Sequence, residues 1–230
     1  MTKILAIDTS ASSLSVAISD ETGICGEFAL DTGRTHSEVL LPMLDGLLKV
    51  SGIKLLDIAA LGVTVGPGSF TGLRIGVATV KGWALAMQLP VITISSTEAM
   101  ARAAGGGADI LSCPLFDARR NEVYTALFEG ETRIWSDDAV DPQLLALRLR
   151  ELKQPVLFSG DAVDKYRELL RSILTVNYRE ALAERRLFMA CAAAQLAQDK
   201  YQRREFVDID TLEPVYLRGA DVDQHQPHRS

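Results

Sequence analysis

The residues most able to do chemistry sit in "TVGPGSFTGLRIGVATVKGWALA", Thr64 to Ala86. A glycine-rich turn follows an apolar run and opens a long helix, which is how many proteins cradle a phosphate. Asp8 closes the apolar run "KILAID"; ionised at a strand end, it is able to hold Mg²⁺ through water. With Gly66, Gly68 and Ser69 it makes a candidate nucleotide or phosphate site, vestigial at most. The competing reading is structural. A Walker A loop needs G-x-x-x-x-G-K-[ST], and neither Gly66 nor Gly68 starts one. A dinucleotide fingerprint needs a third glycine where Thr71 stands. Gly66-Pro67-Gly68 then makes a tight turn and Ser69 caps the helix. Gly72 and Gly76 leave one face bare for another helix, and Asp8 closes an Asx-turn. Asp117, at the end of "ILSCPLFD", repeats the Asp8 pattern, but "ARRNE" follows it where a phosphate loop wants glycines.

Other candidates are few. Of three histidines, His225 and His228 lie in the polar stretch "DQHQPHRS", read as disordered over 219–230, so His36 alone serves the folded body. No Ser or Cys partner identifies it as catalytic, and hydrogen bonding is the role expected. Cys25, Cys113 and Cys191 are odd in number and form no Cys-x-x-Cys, so reduced buried thiols of a cytoplasmic protein are expected and a zinc knuckle is excluded. The 230 residues carry a net charge of −6, a poor basis for binding nucleic acid alone. No run approaches 18 uninterrupted apolar residues, so no membrane contact is expected.

These groups must be positioned by an α/β framework. "KILAID", "LSVAIS" and "GICGEFAL" read as an antiparallel meander. Apolar spacing predicts a helix over Glu38–Val50, then a buried strand in "IAALGVTVG", a helix over Phe70–Met87, a strand "PVITIS" and a short helix in "TEAMARAA". Gly105–Gly107 marks a boundary between lobes 1–104 and 108–218. "KILAIDTSASSLSVAIS" and "LSCPLFDARRNEVYTALF" share the order strand, aspartate, turn, strand, which suggests an internal duplication. Helices near Pro142–Leu152, Ala162–Leu170 and Leu187–Arg203 and a strand "PVLFSG" follow.

That repeated start resembles the actin, sugar-kinase and Hsp70-type ATPase superfamily, which implies two ribonuclease-H-like lobes, the second abbreviated. "ILAIDTS", "RTHSEVLLP", "GPGSFTGLRIGVATVKG", "FDARRNEVY" and "EPVYLR" together resemble the TsaB (YeaZ) family, across residues 4 to 218. The resemblance implies a non-catalytic subunit without a cofactor, in the machinery that makes N6-threonylcarbamoyladenosine on tRNA. Its implied partners are the catalytic paralogue TsaD and the ATPase TsaE, with tRNA reached only through the complex and a homodimer when TsaD is absent. TsaD-like proteins carry a metal-binding His-x-x-x-His; aligned on Glu98, those positions are Ser96 and Met100 here. Neither is an ordinary ligand for a hard or borderline metal. The alternatives left open are an ATPase or an M22-type metallopeptidase acting alone, and a plain homodimer with a regulatory peptide-binding role. The expected partner surface joins Val39, Leu40, Met43, Leu44 and Leu47 of the first helix to Gly72, Gly76, Thr79 and Trp83 of the second.

Overall fold

The computed structural model describes residues 1–31, 33–107, 109–182 and 188–217. Its first sheet holds β1 (Lys3–Asp8), β2 (Leu14–Asp20), β3 (Gly23–Leu30), β4 (Ile58–Gly66) and β5 (Val91–Ser95), in the order β3-β2-β1-β4-β5. β1 pairs antiparallel with β2 and parallel with β4. Helices α1 (His36–Ser51), α2 (Phe70–Met87) and α3 (Ser96–Ala104) connect or follow these strands. The second sheet holds β6 (Leu111–Asp117), β7 (Val123–Glu129), β8 (Thr132–Val140), β9 (Val156–Ser159) and β10 (Tyr178–Glu180), in the order β10-β9-β6-β7-β8. With α4 (Pro142–Glu151), α5 (Val163–Leu174) and α6 (Ala190–Gln202), it repeats the first half element for element. The second copy is abbreviated by shortening: α4 has 10 residues against 16 in α1, and β9 has 4 against 9 in β4.

Central strands of the first sheet are covered on both faces, which is why they read as unbroken apolar runs. Leu5, Ile7, Leu61 and Val63 face α1 and α2 through Leu40, Leu44, Leu47 and Val80. Ile4, Ala6, Ile92 and Ile94 face the other way, with Met100 of α3 and the alanines of α6. The small side chains of α6 allow a close approach; a Cβ at Gly62 would stand 3.1 Å from the Ala197 Cβ. The second lobe has its own core around Leu115, Leu127, Phe158 and Leu170.

The first sheet is complete before residues 105–107 and the second begins after them, but later elements of the chain come back to the first sheet. α6 packs on β1 and β2, and residues 207–217 also return to the first lobe. Val207 bridges Val91, Leu212 is buried among the α1 and α2 core residues, and the Val215 N–H donates to the Val65 carbonyl at 2.6 Å. The stretch expected to be disordered, 219–230, and with it His225 and His228, lies outside the described residues, as does Leu187.

Candidate functional site

A cavity of about 580 Å³ opens between the lobes. Ser10 and Ser12 of the β1–β2 turn, Gly68 to Thr71 at the start of α2, and His36 line one side. Phe116, Asp117, Arg119, Tyr124 and Asp161 of the second lobe line the other, with Tyr216 of the returning strap at its edge. Of the four residues expected to hold a phosphate, Gly68 and Ser69 reach this cavity, whereas Asp8 and Gly66 do not line it.

The glycine loop is spent on packing. Ser69 caps α2, accepting the Gly72 N–H at 3.2 Å, and its own N–H donates to the Ser10 carbonyl at 2.7 Å. Cβ atoms on Gly68 or Gly72 would stand well under 3.0 Å from the Ser10 and Thr9 carbonyl oxygens, and one on Gly76 would strike the Thr9 hydroxyl. What these glycines admit is therefore the β1–β2 turn. The expectation that Gly72 and Gly76 face another helix is corrected: both are buried inside the chain's own first lobe. The Gly66–Pro67 peptide is cis, and Gly66 has φ 123° with the Val215 carbonyl against it.

Asp8 is the hub of that turn. Its Oδ1 accepts from the Ser10 N–H (3.1 Å), the Ser10 hydroxyl (2.7 Å) and the Thr64 hydroxyl (2.7 Å). Its Oδ2 is buried without a hydrogen-bond partner. Burial raises the carboxyl above its ordinary pKa, against the pull of the Ser10 and Thr64 bonds. His36 Nε2 lies 3.1 Å from the Ala11 carbonyl and ties the start of α1 to the same turn.

Opposite, the second lobe offers carboxylates. Arg119, Arg120 and Asn121 all have positive φ, so the turn after β6 is unusually tight for non-glycine residues. The Arg119 N–H donates to Asp117 Oδ1 at 2.9 Å, and the Lys165 ammonium stands 3.5 Å from the same oxygen. Asp161 accepts the Asp117 N–H at 3.1 Å and the Ser12 N–H of the first lobe at 3.3 Å. Burial raises its pKa, opposed by those two bonds. Asp161 went unread in the sequence, although "FSGDAV" occupies in the second half the place that "TVGPGS" occupies in the first. At the rim, Arg74 stacks 3.9 Å from the Phe70 ring centroid and donates from Nε to the Tyr216 hydroxyl at 3.0 Å.

The positions matching the paralogue's histidines are filled by core. Ser96 and Met100 are fully buried, and Met100 packs in one cluster with Phe116 and Met189. Among the described residues, no three His, Cys, Asp or Glu side chains gather as metal ligands would. No helix among them is long and apolar enough to cross a membrane.

Of the expected partner surface, Val39, Leu40, Met43, Leu44 and Leu47 are buried against the chain's own sheet. That part of the expectation is corrected: the apolar stripe of α1 is no wider than its own core requires. Thr79 and Trp83 are half-buried; elsewhere on the two helices Leu41 is 53% and Leu85 60% exposed. The thiols differ from one another: Cys113 is buried, Cys191 half-buried and Cys25 exposed, the last against expectation because it stands on the edge strand β3.

Residues 14–224 match the family model described as TsaD, tRNA N6-adenosine threonylcarbamoyltransferase. The tRNA threonylcarbamoyladenosine biosynthesis protein TsaB of Bacillus subtilis is 31% identical over 224 residues, 96% of each chain. TsaB of Escherichia coli is 34% identical over 229 residues, 94% of this chain and 95% of that one. The solved structure of YeaZ from Pseudomonas aeruginosa superposes with a TM-score of 0.79 at 29% identity, covering 94% of this chain and all of the other. A ROK hexokinase from Thermus thermophilus, at 13% identity and TM-score 0.50, covers 86% of this chain and all of its own, and shares the fold alone. Two near-full-length relatives above 30% identity and a matching fold place the chain in one family: it belongs to the TsaB (YeaZ) family.

Proposed function

We propose that this chain is a non-catalytic scaffold subunit in the synthesis of N6-threonylcarbamoyladenosine on tRNA, acting in the cytoplasm. It binds and activates a TsaD partner, with which it recruits TsaE, and meets tRNA only in that assembly. The observation that carries the reading is the plug formed by Met100, Phe116 and Met189 where a TsaD-like protein would hold its metal. A thioether in an apolar core neither attracts a hard cation nor leaves room for one. The metallopeptidase reading requires that same vacancy.

An ATPase reading has the interlobe cavity in its favour. Against it stand the Ser69 and Gly68 backbone, packed on the Ser10 carbonyl, and two carboxylates, Asp117 and Asp161, on the facing wall. Those carboxylates are already engaged, Asp117 by Arg119 and Lys165 and Asp161 by two backbone N–H groups.

For the partner surface, the exposed parts of α1 and α2 remain: Leu41 on the first, and on the second the open face of Ala78, Gly82 and Leu85 with Thr79 and Trp83 along one flank. A paralogue of the same fold offers an equivalent pair, and two pairs make a four-helix bundle about a pseudo-twofold axis. A homodimer uses the same faces and competes with TsaD. Reconstitution of tRNA modification with and without this chain tests the role: TsaD and TsaE should be inactive without it. Leu85→Glu with Thr79→Arg should abolish TsaD binding and modification at an unchanged melting temperature. Co-purification of that double variant at wild-type yield overturns the assignment of the surface. Metal-dependent proteolysis or sustained ATP turnover by the purified chain overturns the non-catalytic reading.

A further inference from the structure

The two lobes are joined differently on their two sides. Away from the cavity, Arg133 of β8 reaches the first lobe, donating from Nη2 to the Ser95 hydroxyl at 2.9 Å and from Nη1 to the Thr97 hydroxyl at 3.2 Å. Its guanidinium also stacks 4.7 Å from the Phe128 ring centroid and pairs with Asp137 at 2.6 Å. Helix α3 packs against strands of both sheets there. At the cavity, Phe116 packs with Ala11 and Met100 of the first lobe, and at the mouth the Asp161 carboxylate bridges the two lobes through polar bonds. Asp161 Oδ1 accepts from the Asp117 N–H of its own lobe and Oδ2 from the Ser12 N–H of the other.

Both ends of this bridge are held rigidly. On the second lobe, the Ala162 N–H donates to the Leu115 carbonyl at 3.2 Å, and Gly160, at φ 105°, lies so close to that carbonyl that no Cβ fits. On the first lobe, the turn carrying Ser12 is fixed by Asp8, by the Ser69 N–H and by His36. Neither turn has slack with which to follow the carboxylate if the lobes separate. Bonds from backbone N–H groups to a carboxylate are charge-assisted; the Ser12 bond is the longer and lies at the exposed edge.

We propose that Asp161 is a latch: it fixes the lobes at the closure seen here, and the molecule opens about the Arg133–α3 side by releasing Ser12 while keeping Asp117. In enzymes of hinged two-lobe form, closure is commonly driven by a bound ligand whose oxygens collect N–H groups from both lobes. Here a carboxylate of the chain itself collects them, so closure needs no ligand. The latch is independent of the partner assignments above. Arg119 and Lys165 on its own lobe and Asp117 beside it are the charged groups facing Asp161, with His36 across the cavity.

Amide hydrogen exchange read by NMR on the full chain tests it, with Asp161→Asn and Asp161→Ala as variants. In the wild type, the Ser12 and Asp117 amides should both be protected. Asparagine keeps one acceptor oxygen and turns an N–H₂ toward the other donor. The Ser12 amide, which makes the longer bond, should then exchange about tenfold faster or more, while Asp117 stays protected. Alanine should release both amides, and residual dipolar couplings should show the lobes reoriented. An unprotected Ser12 amide in the wild type overturns the latch. So does an Asp161→Asn chain that keeps Ser12 protection and the wild-type lobe orientation; this variant carries the test if the alanine variant fails to fold.

Discussion

Helix α2 contains a built-in controlled experiment. Gly72 and Gly82 lie in the same helix, and replacing either by alanine gains helix propensity, about 1 kcal/mol for Gly82 in the interior and no more than that for Gly72 in the first turn. Their surroundings differ. A Cβ on Gly82 meets nothing within 4 Å, whereas one on Gly72 falls well inside 3.0 Å of the Thr9 carbonyl oxygen. That oxygen belongs to backbone held by Asp8, so it has no cheap way to retreat. Overpacking of this kind costs about 1–3 kcal/mol. Gly82→Ala should therefore raise the melting temperature by about 2–4 °C, the shift that 1 kcal/mol gives at this chain length. Gly72→Ala should lie about 1–3 kcal/mol below it, at or under the wild type. Differential scanning calorimetry of the three proteins decides. Equal stabilisation by both substitutions would refute the claim that this loop's glycines serve the approach of the β1–β2 turn. A phosphate cradle would then regain its standing.

Asp8→Asn should be tolerated and should gain on the wild type as pH rises. The folded-state pKa of Asp8 is raised, so the stability it confers is full below the ordinary value near 3.8 and is lost as pH climbs through the folded value; unfolding free energies at acid and neutral pH measure the difference. Leu44→Glu, at a fully buried position, should cost several kcal/mol and yield insoluble protein, while Leu41→Glu should leave the stability within about 0.5 kcal/mol of wild type. Thiol titration of the native protein should count one reactive group, Cys25. Burial pushes both the Cys113 and the Cys191 thiols up to about 12, and these two should appear only on unfolding.

Much of the framework was legible because its signals are local. The 3.6-residue spacing of Val39, Leu40, Met43, Leu44 and Leu47 fixed a helix and its buried side, and the bounds of α2 emerged as read. What spacing could not say was what covers that side, since a sheet and a second helix demand the same stripe. The duplication was visible in two aspartates at strand ends, yet β8 and β10 were missed. β8 carries the polar run Ser136, Asp137 and Asp138 on a sheet edge, a composition that reads as a loop, and β10 has three residues. Of the residues lining the cavity, Gly68, Ser69 and Asp117 drew attention in the sequence because glycine turns and strand-end carboxylates are local patterns. Asp161 and Tyr216 were missed because their meaning lies in partners at distances of 149 and 142 residues along the chain.

The return of α6 and of residues 207–217 to the first sheet also sets a timetable for synthesis. Strands β1, β4 and β5 leave the ribosome early, but the face bearing Ile4, Ala6, Ile92 and Ile94 receives its cover from α6 only after the whole second sheet has been made. Until then a nascent chain exposes the part of that face which α3 leaves open, while every residue of the second-lobe core, 111–178, has already been made. The first lobe to be made is thus the last to be finished, and contacts this distant in sequence form slowly. A chain stopped after β10 would leave the α6 side of the larger sheet covered only by α3, a species prone to aggregate or to engage a chaperone.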